Sequence, residues 1–195
     1  MGLLLHELTH VIQSREGLYK TIDNAAKKVF EKNVQELKKL KHQYSKSKKL
    51  FERIERISVL LLKELHANTE LIENGYGNYL IEYYTEELQG KKVCPRPVFY
   101  EKFKRAAKKD LNIINIAFEF EFALLSITLP FKKLKDKKAK KLTAAIKRCY
   151  EVNIQEIARK CHELTSLYVL HYSPSKKFQE MFLSSAREKV YNLLC

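Results

Sequence analysis

Apolar residues recur every three or four positions over most of the chain, and the alternation that marks a half-buried strand is scarce. Val29, Leu37 and Leu40 are spaced among lysines in one such stretch, and Leu134, Leu142 and Ile146 in another, as amphipathic helices require. The pattern predicts an all-α protein, with helices at about 2–14, 18–46, 48–73, 78–89, 97–128, 131–150, 152–172 and 174–194. Glu16-Gly17 ends the first helix, Asn74-Gly75-Tyr76-Gly77 the third, and the run Gly90 to Pro97 the fourth. Pro130 and Pro174 open later helices, and Asn153 and Ser173 have the chemistry of N-caps.

At 195 residues the chain can bury a real core as one domain or two small ones. The segment 90–97, with two prolines and a glycine, is the natural division, giving a first region at 1–90 and a helical bundle at 91–195. The two can also run together as one domain. The most apolar stretch, Ile113 to Leu129, is interrupted by Glu119 and Glu121, so a bundle helix is expected there and no membrane span. The four cysteines show no C-x-x-C spacing and no signal peptide is present, which points to a reducing cytoplasm with free thiols.

The formal net charge of +14 is unevenly placed. Ten lysines between Lys20 and Lys49 face three acids, nine basic residues between Phe131 and Arg148 face Asp136 alone, and Leu50 to Gly90 is net acidic. The two basic helices offer Lys27, Lys28, Lys38, Lys39, Lys137, Lys138, Lys140 and Lys141 to phosphate backbone or to an acidic protein; the same spacing also suits plain solvated faces.

The chemistry concentrates in Leu3-Leu4-Leu5-His6-Glu7-Leu8-Thr9-His10-Val11-Ile12-Gln13. Histidines four apart share one helical face, so His6 and His10 can take two corners of a zinc tetrahedron. Glu7 then sits beside the open corner, where a bound water needs a base. The leucines before the motif and Val11 and Ile12 after it lead us to expect a buried helix. A second run, Val59 to Asn68, also reads as buried and carries Glu64 in its middle. The di-iron carboxylate alternative needs two Glu-x-x-His pairs. Only Glu7-x-x-His10 is present.

With H-E-x-x-H followed by Glu64-x-x-Ala67-Asn68, the chain resembles the gluzincin metallopeptidases, and within them the ImmA/IrrE family most. The resemblance covers only Leu3–Gln13 and Glu64–Asn68. It implies zincin-like active-site helices at 1–90, a Zn²⁺ held by His6, His10 and Glu64, and Glu7 as the catalytic base. Ala67 lets the two helices approach closely, and Asn68 is expected to hydrogen-bond a ligand histidine. The implied activity is zinc-dependent endopeptidase cleavage of a protein or peptide substrate. The oxyanion donor would be one of Tyr76, Tyr79, Tyr83, Tyr84 and His171. The chain departs from the family pattern in the long spacing between the motifs, in Thr69-Glu70 after Asn68, and in having five residues before His6, where an upstream β-sheet belongs. A late start or a reduced, helical form of the family is expected from the last of these. The rival expectation is a basic helical protein without enzymatic activity, binding nucleic acid or an acidic partner around a degenerate or structural metal site.

Overall fold

The computed structural model describes residues 1–37, 44–90, 128–132, 134–146, 148 and 176–194. Among these every regular element is a helix, so the protein is all-α there. Four helices lead: α1 (Gly2–Arg15), α2 (Leu18–Leu37), α3 (Tyr44–Glu73) and α4 (Gly77–Gln89). A short helical piece at 128–131 precedes α5 (137–146), and α6 spans Lys176–Leu194. The predicted helix at 152–172, the caps at Asn153 and Ser173, the division at 91–97, the cysteines and the stretch 113–127 lie outside the described residues. No described helix is long and apolar enough to cross a membrane.

The long helix α3 is the central strut. It packs against α1, α2, α4 and α6, and from Leu61 to Ile72 it is buried on most of its circumference. It ends where Gly75 enters the left-handed region at φ 86°, which lets Tyr76 N bond back to Leu71 O at 2.8 Å and satisfies a terminal carbonyl. α4 then folds back along α3, and Leu71, Ile72, Leu80, Ile81 and Tyr84 form one core with Phe131, Ala139, Leu142 and Ile146. Residues on both sides of 91–97 therefore share a single apolar cluster. On the other flank Ile22 and Phe30 of α2 are buried in company with Ile54 and Leu62 of α3 and Phe182 and Leu183 of α6. Each such fully buried side chain contributes about 1.5–3 kcal/mol.

Two sequence expectations change. Pro130 does not open a helix at 131. It lies inside the piece 128–131, and α5 begins only after Asp136, whose carboxylate accepts from the backbone N–H of Lys138 and of Ala139 (3.3 Å). An aspartate that satisfies the orphan donors of a first turn fixes a helix start more firmly than a proline six residues upstream. The second change concerns α1, expected to be buried. Leu3, Leu4, Leu8, Val11 and Ile12 are all about half exposed. The side chains that turn inward are Gly2, His6, Thr9 and Gln13. Apolarity on both sides of the motif hid which face packs, since position along the helix, rather than local hydropathy, selects it.

A histidine outside the motif holds α3 to α6. Gln179 Nε2 donates to His66 Nε2 at 3.2 Å across this buried contact, and burial pushes the imidazole pKa down from 6.5 to about 4. A histidine disfavoured in its charged form costs stability as pH falls through the unfolded value, and the loss is complete near the folded one. Stability should therefore fall between pH 6.5 and 4 by up to roughly 3 kcal/mol from this residue. His66→Gln cannot titrate and should flatten that limb in denaturant titrations run at a series of pH values. An unchanged slope would mean that His66 is not the group responsible.

Candidate metal centre

α1 reaches α4 closely because its first residue is glycine. A Cβ on Gly2 would overlap the Tyr79 carbonyl oxygen and lie 2.8 Å from Tyr83 Cβ. That approach lays the His6 and His10 face of α1 over Glu64 of α3. His6 Nε2 is 3.1 Å from Glu64 Oε2, and His10 Nε2 is 3.2 Å from Glu64 Oε1. The two Nε2 atoms are 2.9 Å apart, with the rings edge-on at 89°. The three sequence-predicted ligands thus converge, and among the described residues they are the one group of histidine, cysteine or acid donors within 4.8 Å of one another.

The donor set fits a zinc ion. Tetrahedral ligands at about 2.0–2.1 Å stand roughly 3.3 Å from one another, and the observed separations lie just inside that value. Two imidazoles and a carboxylate are also the ligand chemistry that zinc takes when one coordination position is left open.

Electrostatics agree with a carboxylate kept ionised. Burial pushes the Glu64 carboxyl up, but the hydrogen bonds from His10 and His6 and the charge of those rings outweigh it and hold the pKa at about 2. Glu7 lies between the histidines in sequence and is exposed. Its charge nevertheless reaches two phenols, Tyr19 and Tyr83, and helps to raise both.

The tyrosines separate into distinct roles. Tyr84 is fully inside, against Asn68, and burial pushes its pKa far up. Tyr76 and Tyr79 are exposed, with their rings 6.5 Å apart and tilted by 37°. Tyr83 alone of the four on and beside α4 lines the cluster, with its ring 6.5 Å from that of His6 and inclined by 26°. His171 lies outside the described residues. Asn68 is completely buried, and its amide donates to Tyr84 Oη at 3.0 Å. An outer partner of a candidate ligand histidine is Tyr19, whose Oη hydrogen-bonds His10 Nδ1. The His6 Nδ1 atom is buried without a partner. One turn further along α1, Gln13 donates to Glu70 at 2.6 Å, a second polar tie between α1 and α3.

Sequence reasoning missed Tyr19. The signal was Gly17, which enters the left-handed region at φ 79° with its N–H bonded to Ser14 O. A reversal there returns the first turn of α2 onto the last turns of α1, so residues just past the glycine face the motif.

Of the basic residues, Lys27, Lys28, Lys137, Lys138, Lys140 and Lys141 are exposed, while Lys38 and Lys39 lie outside the described residues. Compared with family models, curated proteins and solved structures, the chain finds no match.

The depressed Glu64 pKa has a consequence for the metal-free protein. A carboxyl lowered from 4.5 to about 2 contributes stability above the unfolded value and loses it as pH falls through the folded one. Acid unfolding of wild type should therefore steepen below pH 4.5. Glu64→Gln should start less stable at neutral pH and show a shallower acid limb in circular dichroism melts. Superimposable acid limbs would show that the carboxylate makes no such contribution.

Proposed function

We propose that the protein is a zinc-dependent metalloendopeptidase of gluzincin type that hydrolyses peptide bonds in a protein or peptide substrate. The observation that carries this reading is the convergence of His6 Nε2, His10 Nε2 and the Glu64 carboxylate, with Glu7 on the exposed side of the same helix turn. His6, His10 and Glu64 would hold the ion. Zinc, when bound, supplies Lewis acidity for a carbonyl and brings the acidity of water into the neutral range.

The remaining work falls to side chains. Glu7 takes the proton from the attacking water and gives it to the leaving amine, a shuttle worth about 10²–10⁴-fold in rate. Tyr83 is the candidate donor to the oxygen on which charge develops, since it borders His6 and feels both Glu7 and Glu64. The carboxylates of Glu7, Glu64 and Glu70, all near enough to act on Tyr19, give this region an acidic field that favours a basic stretch of substrate.

A second reading is favoured by one observation. Lys137, Lys138, Lys140 and Lys141 are all exposed on α5, while Ala139, Leu142 and Ile146 of the same helix are buried. That face suits phosphate backbone, whose binding would be independent of sequence and steeply salt-dependent. Titration with duplex DNA at low and at physiological salt decides it: binding that fades as salt rises supports an additional nucleic-acid partner, and no binding at low salt removes it.

The peptidase reading predicts about one zinc per chain in tag-free protein and cleavage of an unstructured substrate such as casein. Glu7→Gln should keep the zinc and lose at least ~100-fold in rate, because the amide preserves shape but cannot accept the proton. Tyr83→Phe should lower kcat with KM little changed. His10→Ala should lose the zinc itself, since two ligands rarely retain it. If wild type binds zinc, cuts nothing, and Glu7→Gln alters neither property, the site is structural and the catalytic reading is wrong.

A further inference from the structure

A metal-ligating imidazole needs its second nitrogen held, and the orientation and tautomer of the ring follow from what holds it. At His10 that group is a tyrosine hydroxyl, which differs from a carboxylate or a backbone carbonyl in one respect: it can donate or accept. Both abilities have a use here. In the structure His10 Nε2 lies 3.2 Å from Glu64 Oε1 and 2.9 Å from His6 Nε2, so in the tautomer with its hydrogen on Nε2 the ionised carboxylate is the acceptor. Nδ1 is then bare and can only accept, and Tyr19 Oη donates to it. If Nε2 is given up to a cation, the neutral ring carries its hydrogen on Nδ1, and the same hydroxyl has to accept. A carboxylate would satisfy only the second state.

Tyr19 is itself held by the residue next to the third ligand. Lys63 Nζ lies 4.7 Å from the centroid of the Tyr19 ring and 3.0 Å from Asp23 Oδ1, one turn further along α2. Lys63 is adjacent to Glu64 on α3, so α3 supplies one donor of the cluster and also clamps the ring that orients another. The hydroxyl lies at the first turn of α2, brought there by the reversal at Gly17.

We propose that Tyr19 is the positioning residue of this centre: its hydroxyl holds His10 in both tautomers, so the ring keeps one orientation with and without the cation. This rests on the reading of His6, His10 and Glu64 as a zinc site. No proton is gained or lost by the imidazole; its hydrogen changes nitrogen, and the hydroxyl turns from donor to acceptor.

The test uses the full chain, with zinc as the probe and two readouts. The first is the affinity for zinc, from competition with a chromophoric chelator. The second is the pair of imidazole ¹⁵N shifts of His10, recorded without and with zinc, which a tyrosine that merely packs would not move. Wild type should show the hydrogen on Nε2 without zinc and on Nδ1 with it. Tyr19→Phe should weaken zinc binding by about 10–100-fold and should average the metal-free His10 shifts between the two tautomers. Lys63→Met keeps the hydroxyl but removes its clamp, and should weaken zinc binding about two- to fivefold. If Tyr19→Phe folds, binds zinc as tightly as wild type and leaves the His10 shifts in place, the inference is overturned while the zinc site stands. If wild type takes up no zinc, the site reading falls and the inference with it. If Tyr19→Phe does not fold, Lys63→Met carries the test, and wild-type affinity and shifts in that variant overturn the inference.

Discussion

Two imidazoles on α1 meet one carboxylate on α3, and the placing of the first helix depends on that contact. α1 is an unusual helix energetically. Its buried face consists of Gly2, His6, Thr9 and Gln13, while five large apolar side chains point outward. Hydrophobic burial, which seats most amphipathic helices, is here confined largely to Leu5, which packs partly buried against the core. Polar contacts take its place: His6 and His10 to Glu64, Gln13 to Glu70, Tyr19 to His10, and the close backbone approach at Gly2. Buried polar contacts of this kind are poor stabilisers in net terms because desolvation offsets much of what they return. They are nonetheless specific, since a wrong register would leave polar groups buried without partners. Sequences that break the apolar-inside rule in this way do so chiefly where function is concentrated.

The rest of the fold supplies rigidity for that contact. α3 is clasped by α2 and α6 on one flank and by α4 and α5 on the other. Leu62 and Leu65 are fully buried beside Glu64, so the carboxylate projects from a segment that cannot shift without opening the core. A site built on packed helices keeps its donor spacing better than one on loops. The convergence of both Nε2 atoms on the two oxygens of the Glu64 carboxylate, at 3.1 and 3.2 Å, is consistent with such support.

Much of this was legible in the sequence. The helical class follows from apolar periodicity, and the spacing of His6 and His10 with the setting of Glu64 brought the three donors together on chemical grounds. What escaped were features that depend on tertiary direction. The apolar residues around the motif suggested burial, yet they face out, because the histidines claim the inward face and residues one or two positions away cannot share it. Tyr19 escaped because its role comes from a chain reversal and not from helical spacing. The hydrogen bond from the Asn68 amide to Tyr84 escaped because it depends on how α4 folds back along α3. The start of α5 lies beyond the position that Pro130 suggests because Asp136 bonds two backbone donors of its first turn.

The outward row of Leu4, Leu8, Val11 and Ile12 bears on how the centre would work. Leu3, Leu4 and Val11 stand four before, three before and four after Glu7, so they are its neighbours on the helix surface. A carboxylate ringed by apolar side chains is poorly placed to form ion pairs with lysines of its own chain, and no ion pair to Glu7 occurs among the described residues. A base needs an unpaired carboxylate with access to water, because pairing with a cation lowers its affinity for a proton. The exposed leucines and a Glu7 without an ion pair among the described residues are thus two aspects of one arrangement: under the peptidase reading, the apolar surroundings that make α1 look ready for burial leave the carboxylate that would accept the proton open to water.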